Sequence, residues 1–282
     1  MRAFTGSVSR IYKINRLDIS HLTPLNTKNL SFNEDDEYEY EKGGARPHVH
    51  LWDVSDTGYT VSYSNNNIVS ENSARKPVVK LTGKGNYTGT VSANFTIVKK
   101  NIEDLNMSVN DLVASRSPNK HKQTPVITDL NGKKLVAGTD YEKVFKYTYM
   151  DGSEVSPRDV IPAGTKIKIT VTGKGNYYGT ISREYTIAAA KINTLKFTVN
   201  GGKPYTYTGK EIRPGKSAIT LSVKAGRSWK PLSESEAEKA YEIISYKNNI
   251  SRGTATITIK GTGDYAGTMN ITFKIVNRTI QN

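Results

Sequence analysis

The chain has 282 residues, no cysteine and a formal net charge of +14, from 40 basic and 26 acidic residues. The absence of cysteine excludes disulfide bonds and thiol chemistry, and no apolar run reaches the length of a membrane span. Because Tyr, Thr, Val and Ile are plentiful and long amphipathic helical patterns are missing, the composition predicts an all-β fold.

The first predicted element is a strand within residues 1–14. Thr5–Ile14 repeats the pattern of Thr88–Ile97, which lies 83 positions further along the chain. We therefore interpret residues 1–14 as the terminal strand of a truncated preceding repeat, with targeting signals expected outside the sequence. A lone strand cannot bury its apolar side, so we expect it to fray, to pair with the first repeat, or to exchange with a second molecule.

An eight-residue phrase, Gly-Lys-Gly-Asn-Tyr-x-Gly-Thr, then recurs in three copies spaced by 90 and 88 residues. A period this long exceeds that of solenoids and propellers, so each repeat is expected to be a domain with its own core. The signature positions of the phrase are three glycines and one tyrosine in each copy: Gly83, Gly85, Tyr87 and Gly89; Gly173, Gly175, Tyr177 and Gly179; Gly261, Gly263, Tyr265 and Gly267.

Strand patterns flank every copy of this phrase. Apolar residues alternate before it, as in Val79 and Leu81, and after it, as in Ile271 and Phe273. Period two indicates strands with one buried face, so the phrase is predicted to connect two strands, with its tyrosine ring over the end of the core. A glycine-rich loop of this kind also occurs in phosphate sites, but those loops open a helix, whereas each copy here opens a strand.

Further elements recur upstream of the phrase. A Tyr-x-Tyr pair precedes Arg46-Pro47 and again Arg213-Pro214. The one helical candidate, Ser233–Ala240, is short. The remaining strand candidates are Val49–Trp52, Val126–Thr128, Ile219–Val223, Tyr59–Asn66 and Tyr241–Asn249.

These motifs, in this order, resemble the bacterial immunoglobulin-like repeat domains of Firmicutes cell-surface and secreted proteins. The resemblance is carried by the three phrases together with Tyr207–Lys210, Tyr246–Asn249, Gly253–Ala255 and Phe95–Ile97. It implies tandem immunoglobulin-like antiparallel β-sandwich domains, an extracellular location and a role as spacer, stalk or adhesion module. It implies no catalytic residues and no cofactor.

Two copies depart from the family pattern. The second lacks the Tyr-Thr-Gly-Lys motif and carries an insertion between Met150 and Gly164. The third has the acidic stretch Glu234–Glu238 in place of Gly-x-Asp-Tyr.

Cutting after each terminal strand gives three predicted repeats, at 15–98, 99–188 and 189–282, the last with a short tail. The connections between them contain no Pro-rich or Gly/Ser-rich segment, so free swivelling is not expected. Three such domains in a row predict a semi-rigid, elongated rod on the order of 100 Å long.

Candidate metal sites and catalytic sites are weak. His48 and His50 share a strand face without a third ligand in register, which favours a solvated pair. The acidic run Glu34–Glu41 matches no calcium loop and is interpreted as a charged edge. No nucleophile is accompanied by a base, and the chain is predicted not to be an enzyme.

Ligand binding is the open alternative. The net charges of 1–14, 15–98, 99–188 and 189–282 are +3, −2, +4 and +9, so the third repeat would attract polyanions. Its Lys224, Arg227, Trp229 and Lys230 are predicted to form an exposed basic turn, in which Trp229 either binds a glycan or polyanion or packs within the turn without a ligand. Trp52 is interpreted as a core residue. The lysines are scattered along strands and form no nucleic-acid motif.

The sequence therefore predicts a non-enzymatic spacer or adhesion module of a bacterial surface or secreted protein, not inserted in a membrane and not binding nucleic acid. Its predicted partners are cell-wall or host glycans, or surface proteins. A shaft stapled by Lys–Asn isopeptide bonds is a further possibility, which intact mass would test because each bond releases one ammonia.

Overall fold

The structure is a computed structural model that describes residues 6–7, 9–22, 37–51, 54–71 and 73–277. Strands predominate, and this part of the chain contains one α-helix, α1 (Glu234–Ala240). The strands of the first repeat are β1 (Leu17–Asp18), β2 (Glu37–Glu39), β3 (Tyr59–Ser64), β4 (Val78–Gly83), β5 (Tyr87–Thr88), β6 (Thr90–Asn94) and β7 (Thr96–Val98).

The second and third repeats continue this order. Short 3-10 turns lie at Ile19–Leu22, Asp56–Gly58, Ile102–Asp104, Ile192–Thr194, Asn200–Gly202 and Lys216–Ala218. The second repeat contains β8 (Lys100–Asn101), β9 (Asn106–Ser108), β10 (Leu112–Val113), β11 (Val126–Thr128), β12 (Lys146–Tyr149), β13 (Lys166–Thr172), β14 (Tyr177–Tyr178) and β15 (Thr180–Ala188). The third contains β16 (Ala190–Lys191), β17 (Lys196–Val199), β18 (Tyr205–Thr206), β19 (Ile219–Ala225), β20 (Ser228–Pro231), β21 (Tyr241–Lys247), β22 (Gly253–Gly261), β23 (Tyr265–Ala266) and β24 (Thr268–Val276).

The chain forms two compact units. Unit 1 comprises the described residues of 1–107, 126–144 and 171–181, and unit 2 comprises those of 108–125, 145–170 and 182–282. Both units draw on the second repeat, so units and predicted repeats divide the chain differently. The repeat boundaries stay predictions.

In unit 2, the third repeat is a sandwich of two sheets. Three strands pair in the order β17-β19-β20 and four in the order β18-β24-β22-β21. Their inner faces share one core, which includes Leu221, Tyr241, Ile257 and Phe273. The alternation of buried and exposed residues along β22 and β24 follows the period-two pattern of the sequence. The prediction of an all-β fold is confirmed, and the third repeat is a β-sandwich.

Helix α1 confirms the one helical prediction. It starts at a capping box in which Ser233 is the N-cap and the Glu236 carboxylate accepts from the Ser233 backbone N–H at 2.9 Å. The helix ends at the buried Ala240, just before β21.

In unit 1, the first repeat contains the sheet β3-β4-β6 and the pair β2-β7. Its buried residues include Val79, Leu81 and Phe95, and the ring of Tyr38 meets Phe95 edge to face at 5.7 Å. In the second repeat, the strands pair in the order β10-β15-β13-β12, and β9 pairs with β11.

The sheets are not purely antiparallel. Hairpin neighbours such as β4 and β6 run antiparallel, whereas the edge pairs β2-β7, β10-β15 and β18-β24 are parallel. Each of these pairs joins a short early strand to the last strand of the same repeat. The early strand therefore completes the sheet edge beside the last strand of its repeat.

The repeated Tyr-x-Asn-Asn motif has the same structure in the first and third repeats. The first asparagine, Asn65 or Asn248, has a positive φ of 56° or 58°, which asparagine tolerates better than most residues. The second, Asn66 or Asn249, ties the loop to the segment before the Arg-Pro motif: Asn66 Nδ2 donates to the Ala45 carbonyl at 2.8 Å. Its counterpart donates to the Ile212 carbonyl at 3.2 Å.

The tyrosine of the same motif reaches the Arg-Pro segment. Tyr63 Oη donates to the Pro47 carbonyl at 2.5 Å, and Tyr246 Oη donates to the Pro214 carbonyl at 2.7 Å. The two motifs recur together in the sequence because each pair forms one hydrogen-bonded corner of a sandwich.

Two side chains of unit 2, His121 and Tyr241, have buried polar atoms without a hydrogen-bond partner among the described residues. The imidazole of His121 is 2% exposed, both of its ring nitrogens lack a partner, and it meets the ring of Tyr147 edge to face. Burial lowers the pKa of His121, and the neighbouring Lys122 acts in the same direction while Asp159 opposes it. The folded unit therefore favours the neutral imidazole.

Two predicted strands are absent from the described structure. Residues 6–7 and 9–14 form no strand, and Ile11, Tyr12 and Ile14 are 78–103% exposed. Of the predicted strand Val49–Trp52, the described residues 49–51 form only an isolated bridge at Leu51, although Val49 and Leu51 are buried as period two predicts. Trp52 and Glu34–Asp36 of the acidic run lie outside the described residues.

Candidate functional site

The predicted basic turn around Trp229 is a β-hairpin. Strands β19 and β20 pair antiparallel with Lys224 opposite Trp229 and Val223 opposite Lys230. Only Gly226 and Arg227 form the turn between them, and Gly226 has a φ of +62°. The prediction of a turn is therefore wrong for Trp229, which lies on an edge strand. All four residues of β20 are exposed, so no alternation of burial marked it as a strand.

The four predicted binding residues do not share one surface of the hairpin, because they lie on its two faces and in its turn. Directly opposed residues of an antiparallel pair point to the same face, so Lys224 and Trp229 share one side and Lys230 shares the other with Val223. Val223 packs against the core, which places Trp229 on the outward face. Trp229 is 43% exposed. Arg227 belongs to the turn and to neither face.

Strand β17 extends the outward face. Its Lys196 pairs with Ser222 and its Thr198 pairs with Thr220, and these alternate with pairs that face the core. The outward face thus combines one indole, two ammonium groups and a row of hydroxyls. Its members are Lys196, Thr198, Thr220, Ser222, Lys224, Trp229 and Pro231.

The glycines of the phrase have distinct structural roles. At the first position, an added Cβ would lie 2.7 Å from Thr88 N in copy one, 3.0 Å from Tyr178 N in copy two and 2.9 Å from Ala266 N in copy three. The second and third positions have positive φ in every copy, between 61° and 92°. Close backbone approach at one position and left-handed backbone at two explain the pattern.

The phrase also forms the same hydrogen bonds in each copy. The first glycine donates to the carbonyl of the third at 3.0, 3.0 and 2.8 Å, and the tyrosine N–H donates to the carbonyl three residues before it. Tyr177 and Tyr265 are 2% and 9% exposed, and burial raises the pKa of both phenols. Tyr87 is half-buried, with its ring against Gly58.

The phrase has a second role that the sequence did not indicate: it holds the chain that enters its repeat. The entering strand pairs in parallel with the two-residue strand at the tyrosine, as β1-β5, β8-β14 and β16-β23. In each case an entering N–H donates to the carbonyl of the phrase Asn or Asp: Leu17 to Asn86, Lys100 to Asn176 and Ala190 to Asp264, at 2.8–3.1 Å. We call the meeting of two successive repeats at this point a seam.

The first seam lies within unit 1. Asn176 Oδ1 accepts a hydrogen bond from the Val69 backbone N–H of the preceding repeat at 3.2 Å. The ring of Tyr177 meets that of Tyr40 edge to face, with centroids 5.3 Å apart. The ammonium of Lys42 also pairs with the carboxylate of Asp140, which is only 4% exposed.

The second seam lies within unit 2 and repeats this arrangement. Asp264 Oδ1 accepts from the Ala163 N–H at 2.7 Å, as Asn176 does from Val69. Arg116 forms an ion pair with Glu236 of α1. Arg116 also lies near Tyr265, where its charge opposes the upward shift that burial gives the pKa of the phenol. A cleft of about 500 Å³ is lined by Arg116, Pro162, Glu236, Asp264 and Tyr265, among others.

The basic residues of the two seams occupy equivalent positions. The Tyr40 N–H donates to the carbonyl that ends the last strand of its repeat, Val98, and the Ala114 N–H donates likewise to Ala188. Lys42 and Arg116 each follow two residues later. Both seams therefore combine a basic residue from one repeat with an acidic residue from the next.

The histidine pair and the acidic run form no metal cluster in the described structure. His50 Nδ1 lies 2.7 Å from Asp56 Oδ1, and Tyr59 Oη donates to the same oxygen at 2.5 Å. Within the described ranges, no group of three or more acidic, His or Cys residues is placed to hold a metal ion. No helix in those ranges has the length and hydropathy needed to span a bilayer.

Comparison with known proteins does not assign the chain to a family. No family model and no curated protein matches the chain. Among solved structures it is similar to protocadherin PcdhgB3 EC1-4, at 11% identity over 88% of this chain and 75% of that chain, with a TM-score of 0.18. Protocadherin gammaB7 EC3-6 matches at 11% identity over 87% and 72%, also with a TM-score of 0.18. At these TM-scores the all-β assignment rests on the strands themselves.

Proposed function

We propose that the chain is a non-enzymatic spacer or adhesion module of a bacterial surface or secreted protein. The observation that carries this proposal is the recurrence of one seam. In both copies, the side chain of the phrase Asn or Asp, the entering strand and a basic–acidic pair connect one repeat to the next.

The connections between strands are short. A single residue, Lys99, separates β7 from β8, and a single residue, Ala189, separates β15 from β16. A one-residue linker whose neighbours are both hydrogen-bonded has little freedom compared with a flexible tether. This restriction suits a module that keeps two attachments at a set separation.

The phrase has a structural role at each of its signature positions, so its repetition does not require a repeated ligand. Its glycines permit close backbone approach, and its tyrosine and Asn or Asp contact the same or the preceding repeat. A spacer acts by setting the positions of whatever is attached to it. The extracellular location and the partners proposed for it are those that the resemblance implies.

Small-angle X-ray scattering tests the proposed spacer role. Three repeats joined in series are expected to give a radius of gyration well above the about 19 Å of a compact globule of this length. The value should not fall when salt is lowered, because hydrogen bonds and short linkers, more than surface charges, hold the seams. A radius near the compact value would remove the mechanical basis of the proposed function.

A further inference from the structure

The outward face of the sheet β17-β19-β20 has the chemistry of a ligand site that is independent of the seams. We propose that it binds an acidic polysaccharide, with a sugar ring stacked on Trp229 and acidic groups paired with Lys224 and Lys196. This goes beyond a spacer role, because the face contributes to neither seam.

Trp229 is held in a position where a sugar ring can stack on its indole. The indole is 43% exposed, yet its backbone is fixed by pairing with Lys224 on the neighbouring strand. A large, rigid aromatic side chain fixed on a strand loses little conformational entropy on binding and offers an apolar face to the C–H groups of a sugar ring.

The charge on the face has one sign. Strands β17, β19 and β20 contain no acidic residue, and the third repeat holds 15 basic and 6 acidic residues. Lys224 lies directly opposite Trp229. Lys196 lies on the other neighbouring strand, opposite Ser222, which is two residues before Lys224. The usual strand spacings put the Cα atoms of Lys196 and Lys224 about 8 Å apart. Two lysines whose Cα atoms lie this close on one face can both pair with acidic groups of one saccharide chain.

The remaining residues favour a sugar over a nucleic acid. Thr198, Thr220 and Ser222 place hydroxyls in the same face as the lysines, and hydroxyls can both donate to and accept from sugar hydroxyls. Single-stranded nucleic acid is bound on several aromatic side chains in succession. This face has one.

The test is isothermal titration of the whole chain with an oligogalacturonate at low ionic strength. Trp229→Ala is expected to weaken binding about tenfold or more, while Trp229→Phe, which keeps an aromatic ring, loses less. Lys224→Gln is expected to weaken binding several-fold and to flatten its salt dependence. A neutral oligosaccharide of the same length should bind more weakly.

Lys230→Gln is the matched control, since it removes the same charge one residue from Trp229 but on the opposite face. Its affinity should stay within about twofold of the parent. Three results would overturn the proposal: equal losses for Lys224→Gln and Lys230→Gln, no binding up to about 1 mM ligand, or unchanged affinity of Trp229→Ala. Tighter, Trp229-dependent binding of a single-stranded oligonucleotide of equal charge would also overturn it.

Discussion

Replacing Tyr177 by alanine is expected to lower the free energy of unfolding of unit 1 by about 3 kcal/mol or more. The ring is 2% exposed and meets Tyr40 across the first seam, so truncation leaves a cavity between two repeats. Hydrogen exchange of the amides in β4 and β11, both in unit 1, measures the loss, because exchange reports local stability where a single denaturation midpoint averages over units.

Tyr178 provides the control for this measurement. It follows Tyr177 in the same two-residue strand but is 51% exposed. Tyr178→Ala is expected to change stability by no more than about 0.5 kcal/mol. Equal effects of the two substitutions would contradict the packing assigned to the phrase. Tyr265→Ala should reproduce the loss in unit 2, by about 3 kcal/mol.

The second large effect is expected at the first glycine of the phrase. In Gly261→Ala, the new Cβ would lie 2.9 Å from Ala266 N and from the carbonyl carbon of Tyr265, and backbone atoms cannot rotate away as a side chain can. The strand connection must shift, at a cost of about 2–3 kcal/mol. Hydrogen exchange of the amides in β22, which lies in unit 2, should become faster accordingly.

Gly215 is the matched glycine in the same repeat. Nothing lies within 4 Å of a Cβ added there, and its φ of −79° is open to any residue. Gly215→Ala should be neutral, or stabilise the unit by up to about 1 kcal/mol by restricting the unfolded chain. If Gly261→Ala were equally harmless, glycine at this position would have no steric explanation.

Local patterns in the sequence predicted most of the fold. Alternation placed Val79 and Leu81 inside, and a composition rich in Glu and Ala placed α1. Those features depend on near neighbours in the chain. The same rules missed β20, because an edge strand with every residue exposed has no alternation to detect.

Patterns among neighbouring residues in the sequence could not predict the seams. Asn176 bonds to Val69 from 107 positions away and Asp264 to Ala163 from 101, so no spacing rule connects the partners. The available signal was the repetition itself. Asn or Asp stands before the tyrosine in all three phrases, although glycine and tyrosine alone are enough to make the connection between strands.

The central claim is that each seam fixes one repeat against the next, and spin-label distances across the first seam test it most directly. The chain has no cysteine, so Thr60→Cys in β3 and Thr172→Cys in β13 can be labelled without background. Both positions are exposed and lie in unit 1. Ser64→Cys with Thr90→Cys, both in the first repeat, gives the width for a rigid reference.

We predict a single narrow distance distribution for the Thr60–Thr172 pair, as narrow as the reference. Asn176→Ala removes the hydrogen bond to Val69, worth about 1 kcal/mol, and should broaden the distribution. Asn86→Ala, at the equivalent exposed position of the first copy, should leave it unchanged. A broad or multiple distribution in the parent chain would contradict the account, because the repeats would then move freely about the seam.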